Sequence, residues 1–295
     1  MGVDAATMEL RKALNTASGT GSNLIPEVVS EGLRRFVEFR SPLYTLVPKR
    51  DWPTNTYIFR SQTALPSASF KADGATLDAA DNATYAKPTV AMKYIYARGE
   101  VTGPMQAAAG SLFDAMQLEI EAHADALVRE IELTLIGGDS GVTAAEFDGF
   151  TTQITQEHDA LSTVLSLSHL DTALDVPADY PSHIIMSRAM GRKLWSLLQA
   201  QQRFVDRVEV EGGFRLPAYN DLPIIRVDND ADTDLATTIL MPDMRWVTFA
   251  INQHITYEPL AKTKDSDDFM LKMYCTLAVE GAARYHVKMV NVTTS

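Results

Sequence analysis

TYIFRSQTA (56–64), SASFKADGATLDAADNATYA (67–86), PTVAMKYIYARGEV (88–101) and SLFDAMQLEIEAHADALVREIELTLIGG (111–138) follow one another in the chain, and their succession decides the fold. The first and third read as strands. In the first, Tyr57 and Phe59 share a face; in the third, Val90, Met92, Tyr94 and Tyr96 share one, with Ala91, Lys93 and Ile95 on the other. Together they predict a long hairpin with its tip at Asp73-Gly74. Between the strands only Leu65, Phe70, Leu77 and Tyr85 are sizeable and apolar, too few to bury a core. A two-stranded hairpin is marginal alone. The segment is either disordered or ordered by a neighbouring chain, and the second reading points to an assembly.

The fourth stretch predicts one long helix. Ser111 can cap it, with Asp114 three residues on. Leu112, Met116, Ile120, Ala124 and Val128 line one stripe, Leu127, Ile131 and Leu135 an adjacent one, and Gly137-Gly138 closes it. Some 25 residues span roughly 37 Å, the length of a spine.

Upstream, Val28, Val29, Leu33, Phe36 and Val37 recur at helical spacing after Pro26, and SPLYTLVPKRDWP (41–53) reads as extended chain punctuated by prolines. Downstream, a helix is expected over 168–175, a buried strand at SHIIMS (182–187), and a second helix with Met190, Leu194, Trp195, Leu197 and Leu198 as its apolar face. PIIRV, TTILMP, RWVTFAI and ITYEPL read as short strands, and two β-runs close the chain. The order is α+β, not an alternating βαβ pattern.

Composition narrows the function. Acids outnumber bases 38 to 26, for a net charge of −12, and no basic run exists, so tight sequence-specific nucleic-acid binding is not expected. No stretch of about 18 apolar residues exists to span a membrane, and the N-terminus lacks the apolar region of a secretory signal. The single cysteine, Cys275, excludes an intrachain disulfide framework and a Cys-based zinc site, and a cytoplasmic origin is the simplest reading.

The motifs offer no chemistry. Gly138-Asp139-Ser140-Gly141 matches the nucleophile segment of trypsin-like proteases over four residues, but it ends a long helix in a chain that is not all-β. Asp228, Asp230, Asp232 and Asp234 alternate like a calcium loop, yet Thr233 and Ile239 stand where Gly and Glu are required. The six histidines show no metal-binding spacing, and Gly19-Thr20-Gly21-Ser22 lacks a phosphate-loop ending. No catalytic, metal or cofactor site is expected, and none of these features makes an enzyme.

The order of parts resembles the major capsid proteins of tailed bacteriophages, which have the Johnson fold, also called the Hong Kong 97 fold. LIPEVVSEGLRRFVEFRSPLYTLVPKR (24–50) is similar to the end of the family's N-terminal arm, residues 68–103 to its extended loop, and residues 111–139 to its spine helix with a Gly-rich exit. HIIMSRAMGRKLWSLLQAQQRF (183–204) and GGFRLPAYNDLPIIRVD (212–228) resemble later segments, so the similarity runs from residue 23 onward and rests on order and spacing. It implies an N-terminal arm (1–50), an extended loop (51–98), a peripheral domain with the spine helix (99–150), an axial domain (151–255) and peripheral return strands (256–295). Arm and loop lie over adjacent subunits in this family. The implied subunit-interface residues are Phe36, Arg40, Tyr57, Phe59, Phe70, Lys71, Asp73, Leu77, Tyr85 and Lys87.

The resemblance further implies self-assembly into hexamers and pentamers of an icosahedral head shell. The shell would enclose double-stranded DNA without sequence-specific binding, with scaffolding, portal and decoration proteins as partners. The protein would reside in the virion and assemble in the host cytoplasm. Only about 22 residues precede the arm, so no N-terminal processing and a separate scaffolding protein are expected. Some members join Lys and Asn side chains between subunits; Lys71 and Lys87 lie in the loop, no Asn or Glu matches, and a cross-link is not expected. Two other readings compete: an encapsulin-like compartment of the same fold, against which residues 1–45 argue, and a soluble hydrolase using Ser140.

Overall fold

The computed structural model describes residues 42–76, 78–109, 115–200, 207–210, 214–227, 235–262 and 264–294, all within the unit Phe39–Ser295. Phe36, Arg40, the helix read over 28–37, the glycines at 19–21, Leu77, the Ser111 cap and the acidic run at 228–234 lie outside the described residues. In chain order, α1 (Pro42–Leu46) leads to β1 (Lys49–Asp51), β2 (Thr56–Ile58), β3 (Ser61–Ala64), β4 (Thr84–Ala86), β5 (Thr89–Ala91) and β6 (Lys93–Thr102). There follow α2 (Gly103–Ala109), α3 (Ala115–Gly137), α4 (Phe150–Gln153), β7 (Glu157–Asp159), α5 (Leu167–Leu174), β8 (Ile184–Ser187) and α6 (Arg188–Ala200). Strands β9 (Arg207–Val210), β10 (Phe214–Tyr219), β11 (Leu222–Val227), β12 (Ile239–Met241), β13 (Val247–Pro259), β14 (Ser266–Val279) and β15 (Val287–Val290) complete the fold.

Helix α1 corrects the extended reading of 41–53. Pro42 occupies its first position, where a missing N–H costs nothing and the fixed φ suits a helix. The next two donors, Leu43 N–H and Tyr44 N–H, reach the Glu132 carboxylate at 3.4 and 3.3 Å. Glu132 is fully buried on α3, so a short helix that propensity alone would not sustain is held by a carboxylate 89 residues away.

Four strands form one sheet in the order β1-β13-β14-β6, with β13 and β14 as an antiparallel hairpin and β1 parallel to β13. RWVTFAI and ITYEPL, read as two strands, are one. The apolar alternation lapses at Asn252, Gln253 and His254 because the ladder shifts register between Ile251 and Gln253 and again before Thr256. Helix α3 runs 23 residues, about 34 Å, along one face of this sheet. Its Leu127, Ile131 and Leu135 are buried, and Met116, Ile120 and Ala124 pack against the same core, as the periodicity predicts. Helix and sheet approach so closely that a Cβ on Gly99 of β6 would lie 2.3 Å from the Phe269 ring and 2.9 Å from His123.

The run over 88–101, read as one strand, is two, broken at Met92, although the predicted alternation holds: Met92 packs on Ala278 and Tyr94 pairs with Tyr274 on the same face of β14. Chain pairing switches there: β5 ladders with β2, whereas β6 ladders with β14. Met92 N–H turns to the Asn55 carbonyl at 2.8 Å, and its side chain is buried. From that break onward Ile95, Ala97 and Val101 face α3, and Tyr94 and Tyr96 face outward.

The second sheet has the order β7-β15-β12-β8-β11-β10-β9, with β8 parallel to β11 and antiparallel to β12. Its central strands are apolar on both faces because both are covered. Ile185, Ile225 and Leu240 join the core under α3, while Ile184, Ile224 and Met241 join a second core beneath α5 and α6. Met190, Leu194 and Leu198 are the buried stripe of α6; Trp195, assigned to that stripe, is 49% exposed instead, one residue beyond the seam.

Segment boundaries also differ from those read in the sequence. A cut at residue 255 passes through β13, and β15, grouped with the return strands, pairs between β7 and β12 in the second sheet. Short apolar runs reveal a strand but not which sheet it joins.

Candidate subunit interface

The hairpin over 51–98 has a rooted base and an uncovered tip. At the base Tyr57, Met92, Ala250 and Ala278 form a small buried cluster against which Trp52, Phe59 and Val90 pack. Trp52 N–H bonds to the Ile251 carbonyl at 2.8 Å, its ring lies 4.8 Å from that of Tyr57, and Tyr57 lies 6.1 Å from Phe59. The Tyr57 hydroxyl donates to Glu280 at 2.8 Å.

Beyond the base the hairpin is two strands wide. β2 pairs with β5, and β3 pairs with β4 across a register shift near Gln62. Past Ala64 no further ladder forms among the described residues, and polar side chains close the loop instead. Ser67 N–H donates to Asp81 at 2.8 Å, while Ser69 Oγ and Lys71 Nζ reach the two Asp78 oxygens at 2.5 and 2.6 Å. Lys71, then Ser69, hold the Asp78 carboxyl below its ordinary range, and the Ser67 backbone and hydroxyl do the same for Asp81. The tip is the predicted turn: Ala75 N–H meets the Ala72 carbonyl at 3.1 Å, and Gly74 takes φ +78°, where a side chain would be strained.

The ten residues assigned to the interface fall into four groups. Phe36, Arg40 and Leu77 lie outside the described residues. Tyr57 is a correction: it is 3% exposed and bonded within its own chain, because the base cluster consumes it. Phe59 is half-buried beside it. Phe70 (108% exposed), Tyr85 (72%), Asp73 and Lys87 are open to solvent, and Lys71 is engaged by Asp78. Leu65, 71% exposed, belongs with them.

Sequence reasoning missed a second open surface. Tyr94 and Tyr96 stand exposed on the sheet face opposite α3, with Tyr94 edge-on to Tyr274 at 4.9 Å between ring centroids. The alternation puts both on one face with Val90 and Met92, but it does not disclose that the loop base covers Met92 and leaves the two tyrosines open.

Ser140 and Cys275 have structural places. Ser140 lies in the turn after α3, where its N–H bonds to Asp148 at 2.8 Å and Gly149 N–H bonds to the Gly138 carbonyl at 2.8 Å. Cys275 is buried in β14, and burial pushes its thiol up to about 12, far from reactive. Among the described residues no group of three or more His, Cys, Asp or Glu gathers as a metal site, and no helix is long and apolar enough to cross a membrane.

A spine helix laid on a four-stranded sheet, a mixed second sheet and a hairpin that cannot cover itself define a shell-forming subunit of the Johnson class. The capsid of a native GTA particle aligns with TM-score 0.73 at 12% identity, covering 94% of this chain and 98% of that one. The capsid asymmetric unit of cyanophage A-1(L) aligns at 0.72 with 12% identity, covering 93% and 98%. The holo-SrpI encapsulin complex from Synechococcus elongatus PCC 7942 aligns at 0.71 with 13% identity, covering 100% and 97%. No curated protein sequence is significantly similar to the chain. The chain belongs to the SU10 major capsid protein family, whose model matches residues 13–293. It is a tailed-phage major capsid protein, a structural subunit of the capsid shell, with the α+β Johnson fold that its sequence resembles.

Proposed function

We propose that this subunit closes with copies of itself, as hexamers and pentamers, into an icosahedral head around double-stranded DNA, and that the hairpin over 51–98 is the extended loop lapping a neighbour. The observation that carries this reading is the tip. Leu65, Phe70 and Tyr85 are 71%, 108% and 72% exposed on a hairpin two strands wide. Such a hairpin is marginal in water, and a neighbouring copy gives it a surface to bury against. The sheet packed on α3 is the core of a peripheral domain, the second sheet that of an axial domain, and the segment before residue 50 is the N-terminal arm. The chain's charge of −12 suits a container that must not grip packaged DNA. Scaffolding, portal and decoration proteins are its expected partners, assembly belongs to the host cytoplasm, and the chain carries no catalysis of its own.

Electron microscopy of the purified full chain tests this reading. Closed shells or capsomers are expected, and a population that stays monomeric at all concentrations contradicts it. The similarity to an encapsulin complex over the whole chain favours one rival, a compartment that loads protein cargo. Nuclease-protected double-stranded DNA inside particles from infected cells supports the head, and protein cargo supports the compartment.

A further inference from the structure

His158 on edge strand β7 and His169 in the first turn of α5 point their rings at one another, although their spacing of 11 residues gives no hint of it. His158 Nε2 lies 3.5 Å from His169 Nδ1, and the ring centroids are 5.8 Å apart. Thr163 fixes the tautomer. Its hydroxyl donates to the Ala160 carbonyl at 2.6 Å, so toward His169 Nε2, 3.2 Å away, it can only accept. His169 therefore carries a proton on Nε2 and presents a bare Nδ1 to His158.

This is how protein imidazoles are prepared as metal ligands: one ring nitrogen donates to a fixed oxygen and the other is left free. Two imidazole nitrogens bonded at about 2.0–2.1 Å to one tetrahedral ion stand roughly 3.4 Å apart. A hydrogen bond from N–H settles nearer to about 2.9–3.0 Å. At 3.5 Å the pair is a long hydrogen bond from His158 Nε2–H to His169 Nδ1, and its length is close to the separation that a shared ion would set. Both rings are part-exposed, so an ion and its water can enter from solvent. The scaffold between them is pinned. Asp159 Oδ1 accepts from Leu161 N–H at 2.8 Å and Asn291 Nδ2 at 2.9 Å, holding a turn in which Leu161 and Ser162 take φ 55° and 58°.

We propose that His158 and His169 form a two-imidazole site for a borderline divalent transition-metal ion such as zinc or nickel, with water completing its shell. On binding, neutral His158 moves its proton from Nε2 to Nδ1, so both facing nitrogens donate lone pairs and no proton is lost overall. The ion clasps edge strand β7 to α5. No third His, Cys, Asp or Glu joins the pair among the described residues, so the ion is exchangeable. The proposal does not depend on the shell reading.

Equilibrium dialysis of the purified full chain against zinc chloride and then nickel chloride, followed by calorimetric titration, provides the test. One ion per chain is expected at this site. Affinity should fall at least about tenfold in His158→Ala and in His169→Ala, and about tenfold in Thr163→Val, which removes only the supporting oxygen. Far-UV circular dichroism establishes that each variant remains folded. His254→Ala, at an exposed histidine on β13, should leave affinity unchanged. Absence of uptake by the unaltered chain, or equal affinity in either His158→Ala or His169→Ala, overturns the proposal. So does loss of binding in His254→Ala.

Discussion

The Tyr57 hydroxyl donates a 2.8 Å hydrogen bond to Glu280 Oε1, tying the root of the loop to the residue just beyond β14. Glu280 N–H in turn bonds to the Trp246 carbonyl at 2.8 Å, where the chain enters β13. The loop is thus fastened at the open end of the β13/β14 hairpin, where Val247 pairs with Val279. Burial, and after it the neighbouring Glu280 carboxylate, hold the phenol above its ordinary pKa, so it remains a donor throughout the physiological range.

Tyr57→Phe should keep the packing on Trp52 and lose the hydroxyl's bonds to Glu280 and Thr248. Urea unfolding of dissociated subunits should show a loss of about 1.5 kcal/mol, as for a hydrogen bond to a charged acceptor. A loss below about 0.5 kcal/mol, the range of ordinary surface changes, contradicts the anchoring role.

Glu132 makes a sharper case, since it is buried and faces two backbone donors of α1. Glu132→Leu should cost about 3 kcal/mol by leaving the Leu43 and Tyr44 N–H groups without an acceptor. Glu132→Gln, which keeps an oxygen, should cost about 1 kcal/mol. Equal losses in the two variants would show that packing, not acceptance, is what Glu132 supplies.

These two anchors mark the limit of what the sequence discloses. The spine helix was legible because Leu127, Ile131 and Leu135 repeat at helical spacing and face one core. The exposed tip was legible because Phe70 has too few apolar companions to be buried by its own chain. Glu132, by contrast, sits in the helical stripe as an ordinary surface-type residue, and its role depends on a contact 89 residues away. Tyr57 and Phe70 look alike as aromatics on a hairpin. Only the tertiary position of Ala250, Ala278 and Glu280 separates the buried one from the open one. The facing of His158 and His169 is equally invisible, since it arises from a left-handed turn at Leu161 and Ser162 that their residue types do not announce.

Acid should loosen the loop before the cores. Asp78 and Asp81 have carboxyls held below their ordinary range in the folded loop, by Lys71 and by Ser67 respectively. A depressed carboxyl contributes order above its unfolded value of about 3.9. That order is lost as pH falls through the depressed folded value, because the unfolded loop then binds protons more readily. Hydrogen exchange of the Ser67 amide, corrected for its intrinsic rate, should show protection at about pH 6 that fades as pH falls below about 3.9, toward about pH 3 and lower. Asp81→Asn should remove the pH dependence at this amide. A Ser67 amide equally protected at both ends of that range in the unaltered chain would rule out the carboxylate as its acceptor.

Phe70 should separate assembly from folding. It is fully exposed at the loop tip, so Phe70→Ala should change the unfolding free energy of the dissociated subunit by less than about 0.5 kcal/mol. If the tip is buried by a neighbour, the same substitution should remove about 1.5–3 kcal/mol from each contact that the loop makes. That loss recurs at every subunit of a shell. Sedimentation velocity should therefore show the concentration needed for assembly rising at least about tenfold, since about 1.4 kcal/mol is a factor of ten in an equilibrium constant. Tyr57→Phe should give the opposite pattern, a weaker subunit whose surface contacts are unchanged. Normal assembly of Phe70→Ala would place the tip outside the subunit contact, and instability of its isolated subunit would mean that the tip packs on its own chain.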